Sequence, residues 1–388
     1  MPKVIVGMSG GVDSSVTAYL LQKQGYDVEG LSFILWEARQ RNDFTACCSS
    51  RAIEDAARTA SQIGVPHNPI DVRGEFIEKV IEPFVEAYTK GLTPNPCILC
   101  NKHIKFPFLL KEAEKRGAEF IATGHYARIE RESGIRDLGL GIGNEKTNPQ
   151  PRGPNLTPFL KKGIDPKKDQ SYFLYILRKE EIARLLLPLG EYKKDDVRKL
   201  ANELELPAAQ RPESQEICFI EGRNYFKFIE KLSPMVHAPG RIMDLKGKVL
   251  GEHKGIYHYT IGQRKGLGIA SLEPLYVVKI DASKNIVYVG SHEYARTKEF
   301  EVSDLNWLVP SAAAFAKADK PIHRFTVKVR SAMKAEPATI QIKDDVVGVI
   351  FDEPQWAPAP GQSAVFYDED IVLGGGIIKN QNNSLIRE

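Results

Sequence analysis

Long apolar segments are missing from this sequence of 388 residues. No stretch approaches the roughly 18 consecutive apolar residues that a membrane-spanning helix needs. The amino-terminal residues also lack the apolar core of a secretory signal. These two absences exclude an integral membrane protein, and they favour a cytoplasmic protein without a membrane partner.

Cysteine is sparse as well, with five residues in the whole sequence. A small secreted protein held together by disulfides carries a denser, even-numbered set of cysteines. That class of protein is therefore excluded. We interpret the cysteines first as reactive or metal-binding thiols.

A strong excess of charge of one sign is also lacking, since the formal net charge is only +3. The overall charge therefore does not by itself indicate a nucleic-acid partner. Residues 160–200, however, hold eleven Lys or Arg against seven Asp or Glu, beside Tyr172 and Tyr175. Basic groups next to aromatic rings suit a nucleic-acid backbone with exposed bases. A solvated helix face is the alternative interpretation of this segment.

The length predicts two to three domains. The first 130 residues alternate between strand and helix patterns, which predicts an α/β fold with a doubly wound parallel sheet. Its predicted strands are 4–6, 28–35, 67–72 and 119–123, and its predicted helices include 13–23. Ligands of such sheets bind beyond the carboxyl ends of the strands, where Gly10, Gly11 and Gly124 fall.

Later segments follow other patterns. Residues 138–160 are rich in Gly, Pro and Asn, which predicts a long surface insertion. Helical spacing returns at 171–187 and 193–204, and short strands follow from about residue 240. These strands predict a carboxyl-terminal β-barrel whose last strand ends at the glycines 374–376. The predicted domains are 1–210 (the α/β part), 211–290 (a small central domain) and 291–388 (the barrel).

A glycine-rich loop follows the first predicted strand and precedes a predicted helix. Gly10 and Gly11 let successive backbone N–H groups converge on phosphate oxygens, and Ser9 and Ser14 add hydroxyl groups. The helix would point its positive end at the same anion, and Asp13 would hold Mg²⁺ beside it. Because no Gly-Lys-Ser/Thr ending is present, we predict cleavage of ATP between the α and β phosphates. An ordinary tight turn is the alternative.

The cysteines form a second pattern. Cys97 and Cys100 make a C-x-x-C motif, and Cys218 stands alone later in the sequence. The motif fits a redox dithiol, half of a zinc site, or ligands of an iron–sulfur cluster. Together the three cysteines would leave one iron of a [4Fe–4S] cluster open. We interpret Cys47 and Cys48 as small buried hydrophobic residues.

Seven segments together resemble the tRNA-specific 2-thiouridylases of bacteria and mitochondria. The matching segments are 9–14, 93–96, 100–102, 123–126, 168–172, 217–220 and 259–268, and they follow the family's order. The resemblance runs from residue 3 to about 376. It is more specific than any of the motifs alone.

This resemblance implies a reaction. The family replaces the C2 oxygen of the wobble uridine, position 34, with sulfur in the tRNAs for Lys, Glu and Gln. ATP first adenylylates that oxygen, releasing pyrophosphate, and AMP then leaves. The sulfur arrives as a persulfide from a donor such as a cysteine desulfurase or a sulfur relay protein.

The resemblance also implies that 1–210 is the ATP-binding catalytic domain and that 211–290 binds tRNA, and it implies roles for individual residues. Cys218 would carry the persulfide, and Cys100 would release the sulfur by forming a disulfide with Cys218. Asn95, Pro96 and Cys97 would face the flipped target base. The ATP-binding residues would be Gly7, Met8, Ser9, Gly10, Gly11, Val12, Asp13, Ser14, Phe33 and Gly124. The tRNA-binding residues would be His125, Lys168, Asp169, Gln170, Arg330 and Gln362.

Cys97 departs from the family pattern, because many members carry an aspartate at this position as general acid or base. Two mechanisms are therefore open. Either Cys97 replaces the acid in the persulfide route, or Cys97, Cys100 and Cys218 bind a [4Fe–4S] cluster that accepts hydrosulfide. Two other functions also remain open: an ATP pyrophosphatase that delivers an amine to a small metabolite, and a non-catalytic tRNA-binding iron–sulfur sensor.

Overall fold

The computed structural model describes seven stretches of the chain. They are residues 1–36, 50–133, 156–209, 217–220, 224–233, 238–309 and 322–379. Cys47 and Cys48, and most of the predicted insertion, lie outside the described residues. The predicted domain boundaries stay predictions.

A parallel sheet organises the first half of the structure. Within the described residues it has five strands in the order β3-β2-β1-β4-β7, and each neighbouring pair is parallel. The strands are β1 (Lys3–Gly7), β2 (Asp27–Ile34), β3 (His67–Asp71), β4 (Phe120–Ala122) and β7 (Leu185–Leu186). The chain proceeds from β1 to one side and later to the other, which confirms the doubly wound α/β fold. A ligand crevice is expected beyond the carboxyl ends of β1 and β4, where the strand order reverses.

Helices lie on both faces of this sheet because successive strand residues point to opposite sides. Val4 and Val6 pack with apolar residues of α1 and α2, whereas Ile5 packs with residues of α6. The helices are α1 (Val12–Lys23), α2 (Ser50–Gln62), α3 (Arg73–Phe76), α4 (Glu82–Thr89), α5 (Pro96–Cys100), α6 (Phe106–Lys115), α7 (Lys179–Arg184), α8 (Lys194–Glu203) and α9 (Tyr225–Leu232). The helix predicted at 13–23 is confirmed as α1.

The helix predicted at 171–187 is present only in part, as α7 (Lys179–Arg184). This segment contains a single 3₁₀ turn at Ser171–Phe173, then α7 and β7. Its tyrosines reach the barrel instead: the Tyr172 hydroxyl donates to the Ser363 carbonyl at 2.9 Å. The Asn306 side chain donates to the carbonyls of Tyr175 and Leu177. Because the barrel satisfies these groups, the segment does not need helical hydrogen bonds.

The carboxyl-terminal strands form the predicted barrel. Six strands in the described stretches 296–309 and 322–378 follow the order β12-β15-β14-β13-β16-β17, and β12 also pairs with β17, which closes the ring. They are β12 (Arg296–Trp307), β13 (Ile322–Lys328), β14 (Glu336–Lys343), β15 (Val346–Trp356), β16 (Ser363–Asp368) and β17 (Ile371–Ile378). The hairpin of β5 (Ala127–Ser133) and β6 (Leu156–Lys162) extends this sheet through a pairing of β6 with β17.

Two predictions for these strands are corrected. Residues 156–160 belong to β6 rather than to a surface insertion, and Phe159 and Leu160 are buried against the cores. The glycines 374–376 lie inside β17 and do not end the strand. A side chain at Gly375 would meet the Ala364 carbonyl oxygen at 2.6 Å and the Tyr175 ring at 2.8 Å. Glycine is required there because other parts of the structure approach the strand closely.

A second, smaller sheet lies between the two parts in sequence. In the described stretch 238–309 its strands are β8 (Gly240–Asp244), β9 (Val249–His253), β10 (Tyr276–Asp281) and β11 (Ile286–Gly290). They pair in the order β10-β11-β8-β9. Among the described helices, none combines the length and the apolar character needed to cross a bilayer.

We predict that Gly375→Ala lowers the free energy of unfolding by about 1–3 kcal/mol, because the new methyl group overpacks the contact with Ala364 and Tyr175. Gly348→Ala in the same barrel is the matched control, since a methyl group there meets nothing nearer than 3.7 Å. Thermal unfolding of both variants tests the prediction. Equal stability of the two variants would contradict it.

Candidate active site

The glycine-rich loop after β1 (residues 7–14), named the phosphate loop, is held in shape by its own groups. Gly10 has φ +73°. A side chain at Gly10 would overlap the Ala52 carbonyl oxygen of α2. The Ser14 hydroxyl accepts from the Ser9 N–H at 3.1 Å and donates to the Gly11 carbonyl at 3.1 Å. The loop is thus preformed at the start of α1, where backbone N–H groups and the helix dipole favour an anion.

Gly124 joins this loop from β4. A side chain at Gly124 would lie 2.8 Å from the Asp13 carbonyl carbon and 3.0 Å from the Ser14 nitrogen. Met8 is buried, and its N–H donates to the Leu31 carbonyl of β2 at 2.7 Å. Phe33, near the end of β2, packs edge-on against Phe108. The structure therefore brings 7–14 and Gly124 together, with Phe33 at the carboxyl end of a neighbouring strand.

Two further residues meet the loop at Asp13, and the sequence analysis missed both. The Lys194 Nζ lies 2.6 and 2.8 Å from the two carboxylate oxygens of Asp13. The Tyr126 hydroxyl donates to the same carboxylate at 2.7 Å. A sequence signal for Lys194 exists: it shares a buried helix face with Val197 and Ala201, where a lysine needs a partner.

The C-x-x-C motif lies on α5. The Asn95 side chain caps this helix by accepting from the Cys97 N–H at 3.2 Å, and Pro96 is the first helical residue. Cys97 is exposed, whereas Cys100 is buried. The cap and the proline therefore set where the helix starts and which cysteine faces solvent.

Cys100 and Cys218 belong to one apolar cluster although they are distant in sequence. Phe219, beside Cys218, packs its ring against Phe76 and Phe84 at 5.6 and 5.4 Å between ring centroids. The same cluster contains Leu35 and Val72, which directly follow β2 and β3. The cysteine cluster therefore lies at the carboxyl edge of the parallel sheet, the edge that also carries the phosphate loop.

Cys97, Cys100 and Cys218 are the candidate ligands of a metal cluster. Among the described residues, no three Cys, His, Asp or Glu side chains are grouped so that they could hold a metal ion. Cys97 faces solvent while Cys100 is buried. The described arrangement of Cys97, Cys100 and Cys218 thus does not fit three ligands of one [4Fe–4S] cluster.

His125 follows Gly124 and is neutral. Its Nδ1 lies 2.8 Å from the Thr123 hydroxyl, and its ring stacks on Phe106. Desolvation, with a smaller effect from Lys105, lowers the pKa of His125 to about 3.

Two residues of the basic segment 160–200 accept hydrogen bonds from backbone N–H groups. The Asp169 carboxylate accepts from the N–H groups of Gly163 and Ser171, both at 3.1 Å. The Gln170 side chain accepts from the Tyr126 N–H at 3.0 Å. These contacts order the loop that carries the half-buried Lys168.

Arg330 and Gln362 connect separate parts of the chain. The Arg330 guanidinium donates to the carbonyls of Ile261 and Ala357 at 3.0 and 2.7 Å, and burial lowers its pKa. Its Nε is buried and has no hydrogen-bond partner among the described residues. The Gln362 side chain donates to the Thr93 carbonyl at 2.9 Å, just before α5. Both predicted tRNA-binding residues thus lie where the barrel meets its neighbours.

Three family models match consecutive parts of the chain. A tRNA methyl transferase HUP domain matches residues 2–222, a tRNA methyl transferase PRC-barrel domain matches 227–291, and an aminomethyltransferase beta-barrel domain matches 297–378. The tRNA-specific 2-thiouridylase MnmA 2 of Thermoanaerobacter sp. (strain X514) is 46% identical over 98% of both chains. The chain belongs to the tRNA-specific 2-thiouridylase family.

Other members of the 2-thiouridylase family agree. The tRNA-specific 2-thiouridylase MnmA of Clostridioides difficile (strain 630) is 43% identical over 97% of this chain and 98% of its own. Solved structures are more distant. A complex of 4-thiouridine synthetase with RNA and bound ATP has a TM-score of 0.32 at 17% identity, covering 60% of this chain and 50% of that chain. This likeness carries no functional argument.

We predict that Gly10→Ala lowers the thermal stability of this 2-thiouridylase family member, and its stabilisation by ATP, more than Gly64→Ala does. Both glycines have φ near +70°, so the backbone strain, about 1–2 kcal/mol, is matched. A methyl group at Gly10 overlaps α2, whereas one at Gly64 meets nothing within 4 Å. Thermal unfolding with and without ATP measures the difference. Equal stability and equal ATP-induced shifts in the two variants would refute the prediction.

Proposed function

We propose that the protein is a tRNA-uridine 2-sulfurtransferase, which converts the wobble uridine at position 34 into 2-thiouridine and releases AMP and pyrophosphate. The observation that carries this proposal is the placement of Cys100 and Cys218 in one apolar cluster, at the sheet edge that also holds the phosphate loop. Activation by ATP and transfer of sulfur need these two sites on one face of the protein. Family membership supports the same reaction.

ATP would bind at 7–14, with Phe33 and Gly124 beside the adenosine. The preformed loop and the start of α1 offer backbone N–H groups to the phosphates, which favours bound anions. Asp13 at the start of α1 is partly exposed and fits the preference of Mg²⁺ for carboxylate oxygens. Mg²⁺ would neutralise phosphate charge there. Adenylylation turns the C2 oxygen of uridine into part of a good leaving group, AMP.

Sulfur transfer would use Cys218 and Cys100. A donor such as a cysteine desulfurase or a sulfur relay protein loads Cys218 as a persulfide. Its terminal sulfur attacks C2, and the Cys100 thiolate attacks the Cys218 Sγ, breaking the S–S bond and forming a Cys100–Cys218 disulfide. AMP leaves with the former C2 oxygen. A thiol reductant then restores both cysteines for the next cycle.

The target base would lie at the start of α5, against Asn95, Pro96 and Cys97. A uridine must leave its stack for C2 to be reached. The exposed Cys97 is positioned to exchange a proton in place of the usual aspartate, although an ordinary thiol, with a pKa near 8.5, does so less readily. The tRNAs for Lys, Glu and Gln are the proposed substrates.

The tRNA would lie across the interface between the parallel-sheet domain and the barrel. The six assigned residues are His125, Lys168, Asp169, Gln170, Arg330 and Gln362. Arg330 donates a hydrogen bond to the Ile261 carbonyl, and Gln362 donates one to the Thr93 carbonyl. These two contacts support the placement, because they hold together the segments that the RNA would cross. Lys168 supplies charge for the phosphate backbone.

We predict that Cys218→Ser and Cys100→Ser abolish 2-thiouridine formation but retain pyrophosphate release that depends on tRNA. The reason is that each serine removes the sulfur step and leaves the ATP loop intact. Asp13→Ala is expected to lose both activities while tRNA binding persists. Mass spectrometry of digested tRNA and a pyrophosphate assay measure the two steps.

Substrate controls separate the rival functions. Xanthylate or citrulline in place of tRNA is expected to give no pyrophosphate. If either supports turnover and tRNA does not, the protein is an amidotransferase or ligase of small metabolites. If tRNA binds without any release of pyrophosphate, the protein is a binding module rather than an enzyme.

We predict that the anaerobically purified protein thiolates tRNA from a persulfide donor without bound iron, because the described cysteines do not group as cluster ligands. Iron and sulfide analysis of wild type and Cys97→Asp, with thiolation measured on the same samples, tests this. Cys97→Asp is expected to keep thiolation. Iron and sulfide that depend on Cys97 and track activity would instead establish a [4Fe–4S] enzyme.

A further inference from the structure

A buried lysine contacts the phosphate loop from outside the motif. Lys194 is the first residue of α8, and its side chain is only 8% exposed. Its Nζ reaches both carboxylate oxygens of Asp13, and the Tyr126 hydroxyl donates to one of them. The same Nζ lies 5.5 Å from the centroid of the Tyr126 ring. Asp13 is thus held by a cation and a hydroxyl group.

Contacts at the start of α8 hold the Lys194 ammonium group against α1. The Lys194 N–H donates to the Asp165 carboxylate at 3.0 Å, which fixes the start of α8. Val197 and Ala201 on the same helix face are fully buried. Burying an ammonium group costs several kcal/mol unless a partner compensates it. Asp13, a residue of the phosphate loop, is a compensating partner.

The negative charge of Asp13 disfavours the binding of ATP at the phosphate loop. Its carboxylate is 35% exposed at the start of α1, where the polyphosphate is proposed to bind. An uncompensated carboxylate repels that anion until a metal ion lies between them. Lys194 offsets the charge from the buried side of the carboxylate.

We propose that Lys194 is a positioning residue of the ATP site, which holds the Asp13 carboxylate against Tyr126 and offsets its charge so that the loop accepts ATP. It acts through Asp13 and does not itself bind the phosphates. This inference rests on the proposed function, since it assumes that ATP occupies the loop. It also assigns a role to the start of α8, which lies far along the chain from the loop.

The test is the dissociation constant of ATP, measured without tRNA and in the presence and absence of Mg²⁺. Lys194→Met is expected to weaken binding of Mg²⁺-free ATP about tenfold, because a unit charge roughly 10 Å away at an effective dielectric near 20 has an effect of this size. Mg²⁺ is expected to reduce the loss. Lys193→Met is the matched control, since Lys193 is exposed and the change in net charge is the same.

The double variant Asp13→Asn with Lys194→Met separates positioning from direct contact. It has the same net charge at the site as wild type, so it is expected to bind Mg²⁺-free ATP within about twofold of wild type. Its binding is expected to gain less from Mg²⁺, because the carboxylate is gone. If the double variant binds as weakly as Lys194→Met, the lysine contacts the phosphates directly and the proposal is wrong.

The Lys194→Met protein need not fold, because the change removes the cation that pairs with the Asp13 carboxylate. In that case the comparison of wild type with Asp13→Asn and with the double variant still tests the proposal. Asp13→Asn is expected to bind Mg²⁺-free ATP more tightly than wild type. The double variant is expected to return to the wild-type dissociation constant. Variants that bind like wild type overturn this inference alone. A wild-type protein that binds no ATP with or without Mg²⁺ overturns the proposed function instead.

Discussion

The joining of the barrel to the rest of the protein depends on the contact between the segment 171–177 and the barrel. The hydroxyl groups of Tyr172 and Tyr175 bond to Ser363, and Asn306 supplies donors to the carbonyls of Tyr175 and Leu177. These polar groups are buried, and a buried group without a partner costs about 1–3 kcal/mol. The sheet and the barrel therefore satisfy each other's polar groups. This contact places the barrel loop at Gln362 against the chain that leads into α5.

The chemistry of the site follows from one edge of the parallel sheet. β1 and β4 deliver the phosphate loop and Gly124 to that edge, and the cluster with Cys100 and Cys218 includes residues that directly follow β2 and β3. The carboxyl edge of the parallel sheet thus carries both the phosphate loop and the two cysteines on one face of the protein.

Much of the fold could be predicted from local patterns, because they depend on neighbouring residues. The alternation of apolar strands and amphipathic helices predicted the α/β sheet, and α1 is confirmed. The helix predicted at 171–187 is found only at Lys179–Arg184, because the apolar residues before it pack in one core with residues of α6 and of the barrel. The end predicted at 374–376 is wrong because glycine there serves close packing, a reason that no local pattern reveals.

The sequence by itself determined the phosphate loop, since Gly10 needs a positive φ and close approach that glycine supplies, and it determined the family through motifs in a fixed order. It also determined which cysteines lie in polar segments. Only the tertiary structure decided that Cys218 shares a cluster with Cys100 and that Lys194 pairs with Asp13. The physical reason is that both contacts join distant segments, whose approach depends on the packing of whole elements rather than on local conformational preference.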